Sequence, residues 1–218
     1  MTIQPRTFDT DKALLEFLSD YCEFGADRVY LLLAMARPKE NESVSHGNAP
    51  VFREIITQKD DIRSKYARLK TVAQNYETEE GQSLNFRFYL TANARDTKKS
   101  FYLYQKDLIE YGHKMATGHE QTHEKIKRLD KEWQSKLQSD STKDDSFFII
   151  DVDTEDEETY KKTLSALRDE TDILTAIRSP NGFHIITVPF NYPDFELLNE
   201  NDQIELKTDG LMFLCLFN

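Results

Sequence analysis

Two β-rich runs, DILTAIRS (residues 172–179) and FHIITVPF (residues 183–190), are separated only by Pro180-Asn181-Gly182. Runs of this kind joined by so short a turn read as an antiparallel hairpin, and the neighbours of a hairpin in the chain must fit the sheet it starts. Upstream lies FFIIDVD (147–153), an apolar run ending in acids that reads as a buried strand. TEDEETYKKTLSALRDE follows, acidic in its first turn as a helix N-terminus prefers, with Tyr160, Leu164 and Leu167 on one face. Downstream, NYPDFELLNEN predicts a short helix, and IELKTDGLMFLCLF has strand character around a Thr208-Asp209-Gly210 turn. The order strand, helix, strand, strand, helix, strand suits a small sheet covered by helices on one face, an α+β arrangement.

The first two-thirds are less regular. Residues 10–21 place apolar side chains at helical spacing behind Asp9 or Thr10 as N-cap. DRVYLLLAMARP (27–38) reads as a buried strand, 39–50 as a loop, 52–76 as helical, 84–92 as an alternating strand and 97–115 as a helix. Residues 116–145 are polar, with Trp133 and Leu137 as anchors, and LQSDSTKDDS (137–146) has the composition of a flexible connection. The expected division is an N-terminal α/β lobe over 1–137, a linker over 138–146 and a C-terminal lobe over 147–218. At this length the two lobes would form one packed unit.

No apolar run approaches the roughly 18 residues that would span a bilayer, and MTIQPRTFDTDK lacks the pattern of a secretion signal. The two cysteines, Cys22 and Cys215, show no C-x-x-C spacing, which fits a reducing, intracellular (cytoplasmic) setting and no membrane partner. A net charge of −11 argues against binding nucleic acid through the overall field, while leaving room for a local basic cleft.

Three features could carry chemistry. Asp151 and Asp153 sit at i and i+2 of a strand, so both carboxylates share one face; a divalent cation between them would relieve their repulsion. The bland alternative is an acidic loop at a strand end. His184 follows the Pro-Asn-Gly turn, and alone it reads as a half-buried strand histidine. Asp209 follows a strand whose Lys207 shares its face, and alone it reads as a turn residue before Gly210.

Taken in order, the D-x-D strand, a helix, S-x-x-G-x-H in a hairpin and a later acidic strand end resemble the archaeo-eukaryotic primase superfamily. The resemblance covers roughly 145–218. Phe148 to Asp153 match the family's first motif, Ser179, Gly182 and His184 loosely match its second, and Asp209 best matches its third acid. It implies an RNA-recognition-motif-like βαββαβ catalytic lobe packed on an N-terminal α/β lobe. It further implies metal-dependent nucleotidyl transfer on a template, with Asp151, Asp153 and Asp209 holding Mg²⁺ or Mn²⁺. His184 would contact the phosphates of a nucleoside triphosphate, with Ser179 and Gly182 beside it. Arg178 and Lys207 are phosphate partners by charge and neighbourhood, while Arg87, Arg95, Lys98 and Lys99 are template contacts or a solvated basic loop. Expected partners are nucleoside triphosphates, single-stranded or primed nucleic acid, and a helicase or other replication protein, in a cell- or virus-encoded system.

Two other classes stand beside this one. The first is a non-catalytic nucleic-acid-binding replication accessory protein with the same fold. The second is a zinc metallopeptidase through His119-Glu120-Gln121-Thr122-His123, a literal H-E-x-x-H; its polar flanks favour a solvated helix face instead.

Overall fold

The computed structural model describes residues 3–45 and 49–217 of the chain. Its elements run α1 (Asp11–Tyr21), β1 (Arg28–Met35), β2 (Val51–Ile56), α2 (Asp61–Gln74), β3 (Phe86–Thr91), β4 (Arg95–Asp96), α3 (Thr97–Ala116), α4 (Gln121–Ile126), α5 (Leu129–Leu137), β5 (Phe148–Val152), α6 (Glu157–Glu170), β6 (Ile173–Ser179), β7 (Gly182–Thr187), α7 (Glu196–Glu200), β8 (Ile204–Lys207) and β9 (Leu211–Phe217). Short 3-10 turns precede β5 and α7. Among the described residues no helix is long and apolar enough to cross a membrane.

Two antiparallel sheets result. The first has the order β2-β1-β3-β9, with β4 pairing to the start of β1. The second has the order β6-β7-β5-β8. The second sheet joins the predicted βαββαβ elements into a split βαβ arrangement with β5 and β7 central. The hairpin forms as expected: Ser179 pairs with Gly182 and Ile177 with His184.

Period-two alternation divides the faces of the second sheet. Ile150 and Val152 of β5, Phe183 and Ile185 of β7, and Ile204 of β8 form one core with Tyr160, Leu164 and Leu167 of α6. Ile149, Ile177 and Ile186 have the opposite parity, and they belong to the larger core built from the first sheet, α1 and α2. The two sheets therefore share buried side chains. Everything at the parity of Ile149 and Ile186, including Asp151, Asp153 and His184, is directed toward the first sheet.

Three expectations are corrected. Residues 52–76 are a strand followed by a helix. Val51, Phe52, Ile55 and Ile56 have β-forming side chains, and Val51–Ile56 fills an open edge of β1. The mixed charge there is a cross-element network, with Glu54 of β2 held by Lys65 at 3.2 Å and Arg68 at 3.0 Å from α2. Second, the connection before β5 is tied down. Thr142 is fully buried, its hydroxyl donating to the Leu137 carbonyl at 2.8 Å. Asp144 and Asp145 both pair with Arg28, at 2.9 and 2.8 Å.

Third, β9 does not close the second sheet. The chain turns at Gly210, where φ is 155°, a value that residues with a side chain avoid. It then crosses to pair with β3, Leu90 opposite Met212 and Phe88 opposite Cys215. The expected lobe over 147–218 thus gives its last strand to the sheet of the other, and the two are joined as one packed unit.

Candidate active site in the cleft between the sheets

Where the sheets diverge, a cleft of about 440 Å³ opens. The second sheet contributes Asp151 and Asp153 from β5 and just beyond it, Ser179, Asn181 and His184 from the hairpin, and Glu205 and Lys207 from β8. The first sheet contributes Met35, Arg87, Tyr89, Leu211 and Phe213, with Arg37 and Lys39 from the loop after β1. Acids thus come from one sheet and a group of cations from the other.

The pairing register explains the acidic side. Asp151 lies opposite His184 on β7 and opposite Glu205 on β8, and side chains directly opposite in adjacent strands touch. The Lys207 ammonium sits between two carboxylates, 2.6 Å from Asp151 Oδ2 and 3.2 Å from Glu205 Oε2. Burial lowers the affinity of Lys207 for its proton, but Asp151 and then Glu205 outweigh that and hold its pKa above the ordinary lysine value.

His184 is held in one tautomer. The backbone N–H of Phe213 donates to its Nδ1 at 3.1 Å, so the neutral ring carries its proton on Nε2. That atom lies 3.5 Å from Asp151 Oδ1. Burial depresses the His184 pKa, with Asp151 opposing and Lys207 and Arg87 reinforcing the fall. His184 is therefore a neutral donor aimed along the acidic wall. Across the cleft Arg87 is nearly buried and pairs with Glu40. Tyr89 accepts a hydrogen bond from Arg37 at 3.4 Å.

Gly182 serves the site through space. A Cβ added there would lie 1.9 Å from the Val152 carbonyl oxygen and 2.8 Å from the Thr154 nitrogen. The hairpin thus presses onto the end of β5, next to Asp151 and Asp153. Gly182→Ala is expected to destabilise the protein by about 2 kcal/mol or more, since a backbone must move. Urea unfolding of the variant measures this, and a midpoint equal to wild type would contradict it.

Two expected site residues lie elsewhere. Asp209 is not in the cleft. It accepts two hydrogen bonds from the buried Arg95, at 2.7 and 2.9 Å, and one from Asn93 at 3.0 Å. Its place after the end of β8 takes it out of strand alternation, and the buried guanidinium captures it. Arg178 has the opposite parity to Ser179, so it pairs with Glu157 of α6 at 3.0 Å and covers the Phe183 ring. Of the four upstream basic residues, Arg87 lines the cleft and Arg95 is the buried partner of Asp209. Lys98 and Lys99 stand exposed in the first turn of α3.

Glu205 is not among the expected site residues, although it sits two residues before Lys207, on the same strand face. Arg37 and Lys39 carry no local signature, since only the packing of the two sheets brings them to the cleft. The H-E-x-x-H residues are not arranged on one helix face as a zinc-binding helix would set them. Helix α4 begins at Gln121, leaving His119 outside it, and both His119 and His123 are exposed. Among the described residues, no group of three or more His, Cys, Asp or Glu side chains is placed to hold a metal ion by itself.

No protein-family model, curated protein or solved structure matches the chain. Fold and cleft together define an α+β protein of two antiparallel sheets, with acidic and basic side chains gathered where the sheets part.

Proposed function

We propose that this chain is a metal-dependent nucleotidyltransferase of the primase-polymerase kind, adding nucleoside triphosphates to a nucleic-acid strand on a template. One observation carries the reading. Asp151, Asp153 and Glu205 line the same cleft as Arg37, Lys39 and Arg87, a combination suited to a divalent cation and a polyphosphate side by side. The resemblance of the D-x-D strand and the S-x-x-G-x-H hairpin to the archaeo-eukaryotic primase superfamily supports it, with Glu205 as the third acid in place of Asp209.

The donor set fits Mg²⁺ or Mn²⁺. Asp151 and Glu205 already converge on a cation, the Lys207 ammonium. Mg²⁺ keeps several waters and is commonly held by one or two carboxylates together with substrate phosphates, so no complete protein cage is needed. When bound, the ion neutralises charge on the triphosphate and acidifies an attacking hydroxyl. Asp151 and Glu205 would hold it together with the substrate phosphates, with Asp153 lining the same cleft. Lys207, released from the carboxylates, would pair with a phosphate. His184 would donate from Nε2 to a phosphate oxygen, with Ser179 beside it and Arg87, Arg37 and Lys39 balancing the remaining charge.

The test is incorporation of labelled nucleotides on a primed or unprimed single-stranded template with Mg²⁺ or Mn²⁺. The Asp151→Ala/Asp153→Ala double variant is expected to lose incorporation to background. Equal incorporation by the variant and wild type would remove these residues from the chemistry. The Lys207 bridge favours a second reading, in which the acids are permanently neutralised and the cleft only binds nucleotide or nucleic acid. That reading predicts metal-independent binding of a labelled triphosphate, with no incorporation by the wild type.

A further inference from the structure

Helix α3 presents an outer face that the cleft does not use. Phe101, Tyr102 and Ile109 are 51 %, 70 % and 76 % exposed, three of the large apolar side chains that remain in solvent. At 3.6 residues per turn, Lys98, Tyr102, Lys106, Ile109 and His113 lie within about 40° of one line along the helix. From Lys98 to His113 the line runs about 22 Å. Phe101 stands beside Tyr102, ring centroids 6.4 Å apart and planes tilted by 56°. Lys99 flanks the line.

This face lacks the acidic excess of the whole chain. The chain carries −11 overall, yet no carboxylate lies on the centre line. Glu110, at its edge, is taken by Lys114; Lys98 reaches Asp27 at 2.6 Å, and Lys99 is 3.6 Å from Asp96. Lys106 and His113 make no ion pair among the described residues. A partner helix would need a continuous apolar stripe. Here Tyr102 and Ile109 are separated by Gln105 and Lys106, so rings and cations alternate.

We propose that the outer face of α3 binds single-stranded nucleic acid, its bases stacking on Tyr102 and Phe101 and its phosphates pairing with Lys106 between them and Ile109, and with Lys98 and Lys99 in exchange for their surface carboxylates. Aromatic platforms interleaved with cations are how strands are held without sequence preference. The proposal deepens the nucleotidyl-transfer reading, on which it rests for the identity of the strand as template, but its test is binding and needs no turnover.

The experiment is fluorescence anisotropy of a fluorescein-labelled oligo-dT 20-mer titrated with the full chain at low and at moderate salt. Wild type is expected to bind, more weakly as salt rises. Tyr102→Ala/Lys106→Glu should weaken binding about tenfold or more, whereas Tyr102→Phe should bind as wild type because the ring remains. Both double-variant positions are exposed, so its melting temperature should match wild type. Asp151→Ala/Asp153→Ala should bind undiminished, so failure of the cleft chemistry and failure of the α3 site are read separately. Wild-type affinity in Tyr102→Ala/Lys106→Glu, no binding by wild type, or equal competition by poly-L-glutamate would each overturn the proposal, the last by pointing to acidic protein partners.

Discussion

Asp209→Ala is expected to lower the unfolding free energy by about 3–5 kcal/mol, the usual consequence of stripping one partner from a buried ion pair. Arg95 is 1 % exposed, and both of its terminal nitrogens donate to Asp209. Without that carboxylate the guanidinium keeps its charge, since arginine does not deprotonate in proteins. Its remaining contact is the Ser139 carbonyl at 3.3 Å. Asn93 loses an acceptor as well, while its other bonds continue to hold Phe147 at the entry to β5. The loss should therefore spread to the join between the sheets. Urea unfolding measures it, and Arg95→Met/Asp209→Ala should cost clearly less than the two single changes added together. A loss below about 1 kcal/mol in Asp209→Ala would mean that the pair contributes little.

Glu205→Gln is expected to act in the opposite way, leaving stability near wild type and lowering nucleotide incorporation by about a hundredfold or more. Replacing groups that merely orient metal ligands costs 10–100-fold, so losing a direct ligand should cost at least the upper end. Its side chain is 69 % exposed, and its bond to Lys207 is a surface contact of small stabilising effect. The amide keeps the size but not the charge that would hold a divalent ion. Steady-state incorporation with Mn²⁺, alongside urea unfolding, separates this from Asp209→Ala. Wild-type incorporation by Glu205→Gln would return the third-acid role to an open position.

These two variants test where sequence reading and structure part. By position Asp209 is a turn residue before Gly210, and only the resemblance to the primase superfamily makes it the third acid. The structure spends it on Arg95, 114 residues away in the chain. Such a partner leaves no local trace, since a buried arginine in ANARDTKK resembles a solvated one. Glu205 was legible in principle, because β8 alternates and Lys207 marks its polar face. The i, i+2 spacing marks Asp151 and Asp153, the family resemblance adds Ser179 and His184, and strand parity brings all four to one cleft.

Local chemistry determined the elements. Alternation, caps and turn residues specify α1 behind Thr10, α6 behind Asp156, and the hairpin around Pro180-Asn181, because each depends on side chains within a few residues of one another. Tertiary structure alone decided three things: that β9 crosses to the first sheet, that the stretch before β5 is held by Arg28, and that Arg37, Lys39 and Arg87 face the acids. The physical reason is common to all three. Strand partners and ion pairs far apart in the chain are selected by shape and charge only after the cores have packed, and nothing within a short window encodes that choice.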